Sequence, residues 1–308
     1  MNNFTHQLYI LTEHNACYRE AIEALHLPEL AITDDRSQAT LLLAAPPLAA
    51  QCLDEFPRLE WLQSAYAGVD ALIAPGLRQD YELTNVKGIF GQQIAEYVLG
   101  YTISHYRHFT RYQQQQHHLQ WQPHRYQSLN GQVMTILGTG SIGAHLANVA
   151  TAFGFTVIGV NSSGIPPKHG AFSQTYHINE LPAALAQANI VVNTLPNTPS
   201  TLGLLGKTTL SHCQQALLFN VGRGKTLVED ELIPLIEAGH IQHAFLDVFA
   251  NEPLNDTHPF WAHPAITVTP HIAALSFPQQ VVDIFAANYA LWRDGFQLNH
   301  RIDFSKGY

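Results

Sequence analysis

The sequence predicts a parallel α/β protein built as two doubly wound domains. Three observations carry this. Short aliphatic runs alternate with helical stretches along most of the chain, as parallel sheets with crossover helices require. A glycine-rich turn at 138–143 joins one such run to a helix. The 308 residues exceed what one hydrophobic core usually organises.

In the first hundred residues, 8–11, 40–44 and 59–64 read as strands. From residue 91 the spacing changes: Ile94, Val98, Leu99, Ile103 and Tyr106 recur at helical intervals, so GQQIAEYVLGYTISHYRHFTRYQQQQHHLQ reads as one long helix. The segment WQPHRYQSLNGQ, rich in turn formers, then bridges into a second βαβ region. That region opens with a strand at 132–137 and a helix carrying Ile142, Leu146, Val149, Ala150 and Phe153. Strands follow at 156–160, 190–194, 216–221, 244–248 and 266–269, and a final helix at 277–293 returns toward the first domain. The expected boundaries are 1–99 with 280–308 for a substrate-binding domain and 100–279 for a dinucleotide-binding domain, with a cleft between them.

Composition narrows the function. The apolar fraction of 46% suits a globular chain, and no apolar stretch is long enough to cross a membrane. Net charge is −9, and no segment gathers Lys and Arg into a phosphate-tracking patch, so nucleic acid is not an expected partner. Cys17, Cys52 and Cys213 are widely spaced and odd in number, which argues for a reducing compartment rather than a disulfide framework. With neither a basic leader nor a signal-type apolar run at the start, cytoplasmic localisation is expected.

Gly138, Gly140 and Gly143 form a G-x-G-x-x-G turn between strand and helix, the setting of a Rossmann-like dinucleotide site. The first glycine allows the tight turn, the second lets backbone approach a pyrophosphate, and the third lets helix and strand pack closely. Ser141 and Ile142 open the helix whose N-terminus favours the anion. At the end of the next strand, where a carboxylate would hold the ribose hydroxyls of NAD, stand Asn161, Ser162 and Ser163. No acid is present to repel a 2′-phosphate and three side chains are able to donate to it, so NADP(H) is favoured over NAD(H), although no arginine is present to grip it.

Arg223, Glu252 and His271 each lie just beyond a predicted strand, where open parallel sheets bind ligands. An arginine between Gly222 and Gly224 can hold a carboxylate bidentately and polarise an adjacent carbonyl. A carboxylate beside a histidine stabilises the imidazolium, so the ring can protonate a developing alkoxide near neutral pH. Among 18 histidines, His271 is singled out by its place after Thr269-Pro270. His117 and His118 point to different helix faces, so no metal site is expected. Cys213 has no activating base in view, and Trp61, Tyr66 and Trp261 fit core packing as well as a substrate border.

The order of glycine loop, LPNTPSTLGLL, NVGRG, LDVFANEPL and TPHIAA resembles the D-isomer-specific 2-hydroxyacid dehydrogenase family, from about residue 66 to 292. The stretch GQQIAEYVLGYTISHYRHF, the missing acid and the tryptophan-containing bridge are most similar to its glyoxylate/hydroxypyruvate reductase branch. The resemblance implies two Rossmann/flavodoxin-like domains, a homodimer packed through the cofactor domain, and reduction of a small 2-oxo acid to a D-2-hydroxy acid. It implies that Arg223 binds substrate and that Glu252 pairs with His271, the acid/base. Backbone N–H groups of Tyr66, Ala67 and Gly68 would hold the substrate carboxylate. Leu195, Pro196 and Val221 would line the cofactor, and Asp247 would meet the nicotinamide carboxamide. Two alternatives stay open: a dinucleotide-sensing, corepressor-like binding protein, and a dehydrogenase of another small anion such as formate or phosphite.

Overall fold

The computed structural model describes residues 5–305. They divide into two compact units, 5–89 with 276–305 and 90–275.

The first unit is a five-stranded parallel sheet. Strand β1 (His6–Leu11) is followed by helix α1 (Asn15–Ala24), the short strand β2 (Leu30–Ile32), β3 (Leu41–Ala44), helix α2 (Pro46–Ala49), β4 (Trp61–Ser64) and β5 (Glu82–Thr84). The order β2-β1-β3-β4-β5, parallel throughout, is that of flavodoxin-like sheets. Strands β3 and β4 are buried along their whole length; β3 is accordingly an apolar run, whereas β4 carries the buried polar residues Gln63 and Ser64. Leu42, Ala49, Leu53, Phe56, Leu62, Leu72 and Leu83 pack one core of this sheet.

The second unit begins with α3 (Phe90–Tyr106) and α4 (Phe109–His117). The sequence reads these as one helix, but the chain breaks where His108 adopts the left-handed conformation at φ 58°, with its Nε2 hydrogen-bonded to the Arg125 carbonyl at 2.8 Å. Helix α3 belongs wholly to this unit, packing on α5 (Ser141–Ala152), so the first division falls at 89/90 rather than at 99/100 inside the helix, and the second at 275/276 rather than near 280. The sheet comprises β6 (Val133–Leu137), β7 (Thr156–Asn161), β8 (Gln174–His177), β9 (Ile190–Asn193), β10 (Ala216–Asn220), β11 (Ile241–Leu246) and β12 (Ile266–Val268), with α6 (Leu181–Leu185), α7 (Lys207–Leu210) and α8 (Glu229–Glu237) between them. Its order, β12-β11-β10-β9-β6-β7-β8, is the doubly wound arrangement with one further strand, and the direction of winding reverses between β6 and β9. Alternate residues serve opposite faces. Ile190 and Val192 join the layer of α3 and α5, while Val191 joins that of α6 and α8.

The chain returns to the first unit through α9 (Pro278–Arg293), whose Phe285 stacks on the fully buried Trp61 at 5.2 Å. Trp61 is therefore a core residue.

Candidate active site

All of the strongest site candidates lie at the carboxyl ends of the second unit's strands. Strand β10 ends in Asn220, and the turn behind it carries Arg223. Gly224 is required there by close approach: a Cβ on it would stand 1.8 Å from the Phe249 carbonyl carbon. Three buried polar side chains hold this turn. Asn193 Nδ2 donates to Asn220 Oδ1 at 2.8 Å and to Thr226 Oγ1 at 2.7 Å. Thr226 Oγ1 and Asn220 Nδ2 both donate to the Arg223 carbonyl, at 2.6 and 3.3 Å. The backbone of Arg223 is thus fixed, and the guanidinium donates from Nη1 to the Gly222 carbonyl at 2.8 Å.

His271 follows β12 and sits at φ 56°, a conformation uncommon for a residue with a side chain. Asp247, just past β11 and 2% exposed, shapes that turn. Its carboxylate accepts from Thr269 Oγ1 at 2.6 Å, Ile272 N at 2.8 Å and Ala273 N at 2.9 Å, and its carbonyl accepts from His271 N at 2.9 Å. The helix α3 supports the same turn: Tyr97 Oη lies 2.7 Å from Thr269 Oγ1, and Gln93 exchanges two hydrogen bonds with the Leu275 backbone. The Thr269 hydroxyl has one proton, given to Asp247, so Tyr97 is the donor in its pair.

His271 Nδ1 donates to Glu252 Oε2 at 2.8 Å, and both side chains are partly open to solvent. With Nδ1 held by the carboxylate, Nε2 is the ring nitrogen left to exchange a proton. The Glu252 hydrogen bond raises the His271 pKa, outweighing burial, with a further push from Asp247 and opposition from Arg223. Burial alone would raise Glu252. The His271 and Phe249 hydrogen bonds and nearby charge prevail and hold its carboxyl below its ordinary range. The pair is therefore set toward imidazolium and carboxylate, the state able to give a proton.

The glycine loop fits a dinucleotide. Gly138 has φ 99°, and a Cβ on Gly143 would stand 2.0 Å from the Gly138 carbonyl oxygen, so both positions need glycine. A Cβ on Gly140 would meet nothing within 4 Å, leaving open space beside the N-terminus of α5, where Ser141 and Ile142 lie. Val221 is partly buried, Leu195 is buried and Pro196 is exposed, all beyond the neighbouring strand ends. Asn161 differs from expectation. Its Nδ2 donates to Thr139 Oγ1 and the Ile165 carbonyl, while its Oδ1 accepts from Ser163 N, Ser163 Oγ and Gly164 N. Asn161 and Ser163 hold the turn and the glycine loop, so of the three residues Ser162 is the one whose hydroxyl meets no described partner.

In the first unit, the 66–68 loop follows β4, and Asn85 Nδ2 donates to the Ala67 carbonyl at 2.7 Å. Tyr66 N donates to Ser64 Oγ at 3.0 Å, so its amide is already engaged, and its Oη donates to Glu13. Elsewhere, Cys213 is buried, with its thiol pushed up to about 12 by burial, and Trp261 Nε1 donates to the Asn255 carbonyl.

Residues 99–273 match the family model for the NAD binding domain of D-isomer specific 2-hydroxyacid dehydrogenases. The chain belongs to that family. A curated relative, glyoxylate/hydroxypyruvate reductase A of Serratia proteamaculans, is 37% identical over 266 residues, 83% of each chain. The crystal structure of a D-isomer specific 2-hydroxyacid dehydrogenase family protein from Aeromonas salmonicida superposes with a TM-score of 0.91 at 41% identity, covering 97% of this chain and 99% of that one. A D-isomer specific 2-hydroxyacid dehydrogenase from Xanthobacter autotrophicus, in complex with NADPH and MES, gives 0.88 at 28% identity over 99% and 100%. This dehydrogenase is accordingly an NAD(P)-dependent oxidoreductase of the glyoxylate/hydroxypyruvate reductase branch. No helix among the described residues is long and apolar enough to cross a membrane.

Sequence reasoning nominates Arg223, Glu252 and His271 but passes over the residues that hold them. Asn193 and Asn220 carried a signal: both are amides ending otherwise apolar strands that are buried throughout. Asp247 was noticed for a different role, contact with the cofactor.

Proposed function

We propose that this dehydrogenase reduces a small 2-oxo acid of the glyoxylate or hydroxypyruvate kind to the D-2-hydroxy acid, using NADPH in preference to NADH. The observation that carries the reading is the His271–Glu252 pair, 2.8 Å apart and biased toward imidazolium and carboxylate. The bound nicotinamide supplies hydride to the carbonyl carbon. His271 gives its Nε2 proton to the carbonyl oxygen as charge develops there, while Glu252 stabilises the charged ring before transfer and orients it throughout. Arg223 binds the substrate carboxylate and polarises the carbonyl, on a backbone held by Asn193, Asn220 and Thr226. The Ala67 and Gly68 N–H groups add donors to the carboxylate.

Gly138, Gly140, Ser141, Ile142 and Gly143 would hold the pyrophosphate, with Leu195, Pro196 and Val221 along the dinucleotide. Asp247 would address the carboxamide as well as shaping the His271 turn. The preference for NADPH is supported by the absence of a carboxylate at 161–163 and by the NADPH complex of the Xanthobacter relative. Ser162 is the donor proposed for the 2′-phosphate. The three free cysteines are in keeping with a cytoplasmic enzyme.

A homodimer is proposed on the exposure of Leu119 and Trp121, which are 94% and 100% accessible. The polypeptide around them is held in place rather than loose: Tyr112 Oη accepts from His124 N at 2.8 Å, and the Arg107 guanidinium lies 4.2 Å from the Tyr126 ring centre. A rigid segment presenting bare tryptophan suits burial against a second copy. The test of the reading is a steady-state panel of glyoxylate, hydroxypyruvate, pyruvate and bulkier 2-oxo acids, each with NADPH and NADH. The smallest acids with NADPH are expected to give the highest kcat/KM, and a panel without turnover overturns the assignment.

A further inference from the structure

The 66–68 loop carries successive peptide groups whose carbonyl oxygens are both held from within the first unit. The Tyr66 carbonyl accepts from Ser64 Oγ at 2.8 Å and from Val86 N at 3.3 Å. The Ala67 carbonyl accepts from Asn85 Nδ2 at 2.7 Å. A trans peptide is planar, with its C=O and the following N–H pointing in opposite directions. Fixing the Tyr66 oxygen therefore aims the Ala67 N–H, and fixing the Ala67 oxygen aims the Gly68 N–H. No described residue accepts from either N–H. Two adjacent amides with their backs anchored and their protons free make a preset anion-binding pair.

The anchors are built into the sheet. Ser64 is the last residue of β4 and fully buried, and Asn85, one residue past β5, is 6% exposed. Gln63 Nε2 donates to the Ser64 carbonyl at 3.0 Å. Gln63 Oε1 in turn accepts from Thr84 Oγ1 and from Asn288 Nδ2 of α9. Asn85 Oδ1 is buried with no partner among the described residues.

We infer that Ser64 and Asn85 are positioning residues for the substrate carboxylate, acting through the orientation of the Ala67 and Gly68 peptide planes. The inference rests on the proposal that these N–H groups receive the carboxylate. Asn85→Asp tests it with almost no change of shape. A carboxylate oxygen replaces Nδ2 beside the Ala67 carbonyl, two acceptors face each other, and the peptide turns away. Ser64→Ala is the second variant, should the first fold poorly, and removes the shorter of the two bonds to the Tyr66 oxygen, leaving that from Val86 N.

The measurements are KM for glyoxylate, kcat, the Kd of NADPH and the melting temperature. Asn85→Asp is expected to raise KM by about tenfold or more, the scale of one charge-assisted hydrogen bond. The Kd of NADPH should be unchanged and kcat should stay within about threefold, because an interaction lost equally from bound substrate and transition state appears in KM. Ser64→Ala should move KM in the same direction. Unchanged KM in both folded variants overturns the positioning role. So does a parallel loss of kcat, NADPH affinity and melting temperature, the pattern of general structural damage. Failure of the underlying reading looks different: the unaltered enzyme turns over no 2-oxo acid, or Gly68→Pro, which deletes one donor, leaves KM unchanged in an active protein.

Discussion

Glu252 and His271 meet through one hydrogen bond of 2.8 Å, and most of the proposed chemistry depends on its charge. Glu252→Gln keeps the shape and removes the negative charge, so the raised His271 pKa falls toward its ordinary value. Reduction needs the imidazolium and declines as pH rises through that pKa. The declining limb of the reductive pH profile is therefore expected at lower pH in Glu252→Gln, and an unmoved limb would remove Glu252 from the role. Stability follows the same sign. The raised His271 contributes fully below the ordinary histidine pKa, and its contribution is lost as pH rises through the folded value. The lowered Glu252 contributes above the ordinary carboxylate pKa, and its contribution is lost as pH falls through the folded value, so the pair helps most between them. Their partial exposure keeps this contribution small. His271→Ala should lower kcat about 10²- to 10⁴-fold with little change in NADPH affinity, as measured by turnover and fluorescence titration. Arg223→Ala should raise KM for the 2-oxo acid and lower kcat together, and an isolated loss of cofactor binding would contradict its placement.

Elements differ in how plainly the sequence announces them. Strands β3, β9 and β10 are buried along their whole length and read as apolar runs, the last two closed by an asparagine. The strands missed were β2, β5 and β8, and all three are edges of their sheets. An edge strand pairs on one side only, and segments such as Glu82–Thr84 and Gln174–His177 are short and partly polar, leaving no periodic signal. The break between α3 and α4 was hidden for another reason: a tertiary hydrogen bond from His108 to the Arg125 carbonyl accompanies it, and no Gly or Pro marks it. Strand β11 also contains a pH-sensitive position. His243 packs against His105 of α3 with rings 5.3 Å apart, and burial, with smaller pushes from His105 and His263, lowers its pKa from 6.5 to about 4. Because the folded pKa is depressed, this site's contribution is complete above 6.5 and is lost as pH falls toward 4. The melting temperature should drop over that interval, and His243→Gln should flatten the drop. A profile with the same slope in the variant would place the acid sensitivity elsewhere.

At the scale of the whole molecule, the proposed catalytic trio and the glycine loop stand out in the sequence because each follows a strand in a fixed order along the chain. The supports were not. The bonds joining Asn193 to Asn220 and Thr226, and Asp247 to Thr269, span 22 to 33 residues of sequence and exist only once the strands are side by side. Assembly has its own test. Leu119→Glu with Trp121→Glu should convert a dimer to a monomer in sedimentation while leaving the melting of each subunit cooperative, and an unaltered sedimentation coefficient would move the interface away from this segment. The central claim concerns hydride and proton delivery to a 2-oxo acid. It is tested most directly by supplying hydroxypyruvate with NADPH deuterated at the nicotinamide C4 and analysing the product. The account predicts D-glycerate with one deuterium at C2, formed by the native enzyme and reduced at least a hundredfold in rate by His271→Ala. L-glycerate, an absence of deuterium transfer, or an undiminished rate in the variant would contradict it.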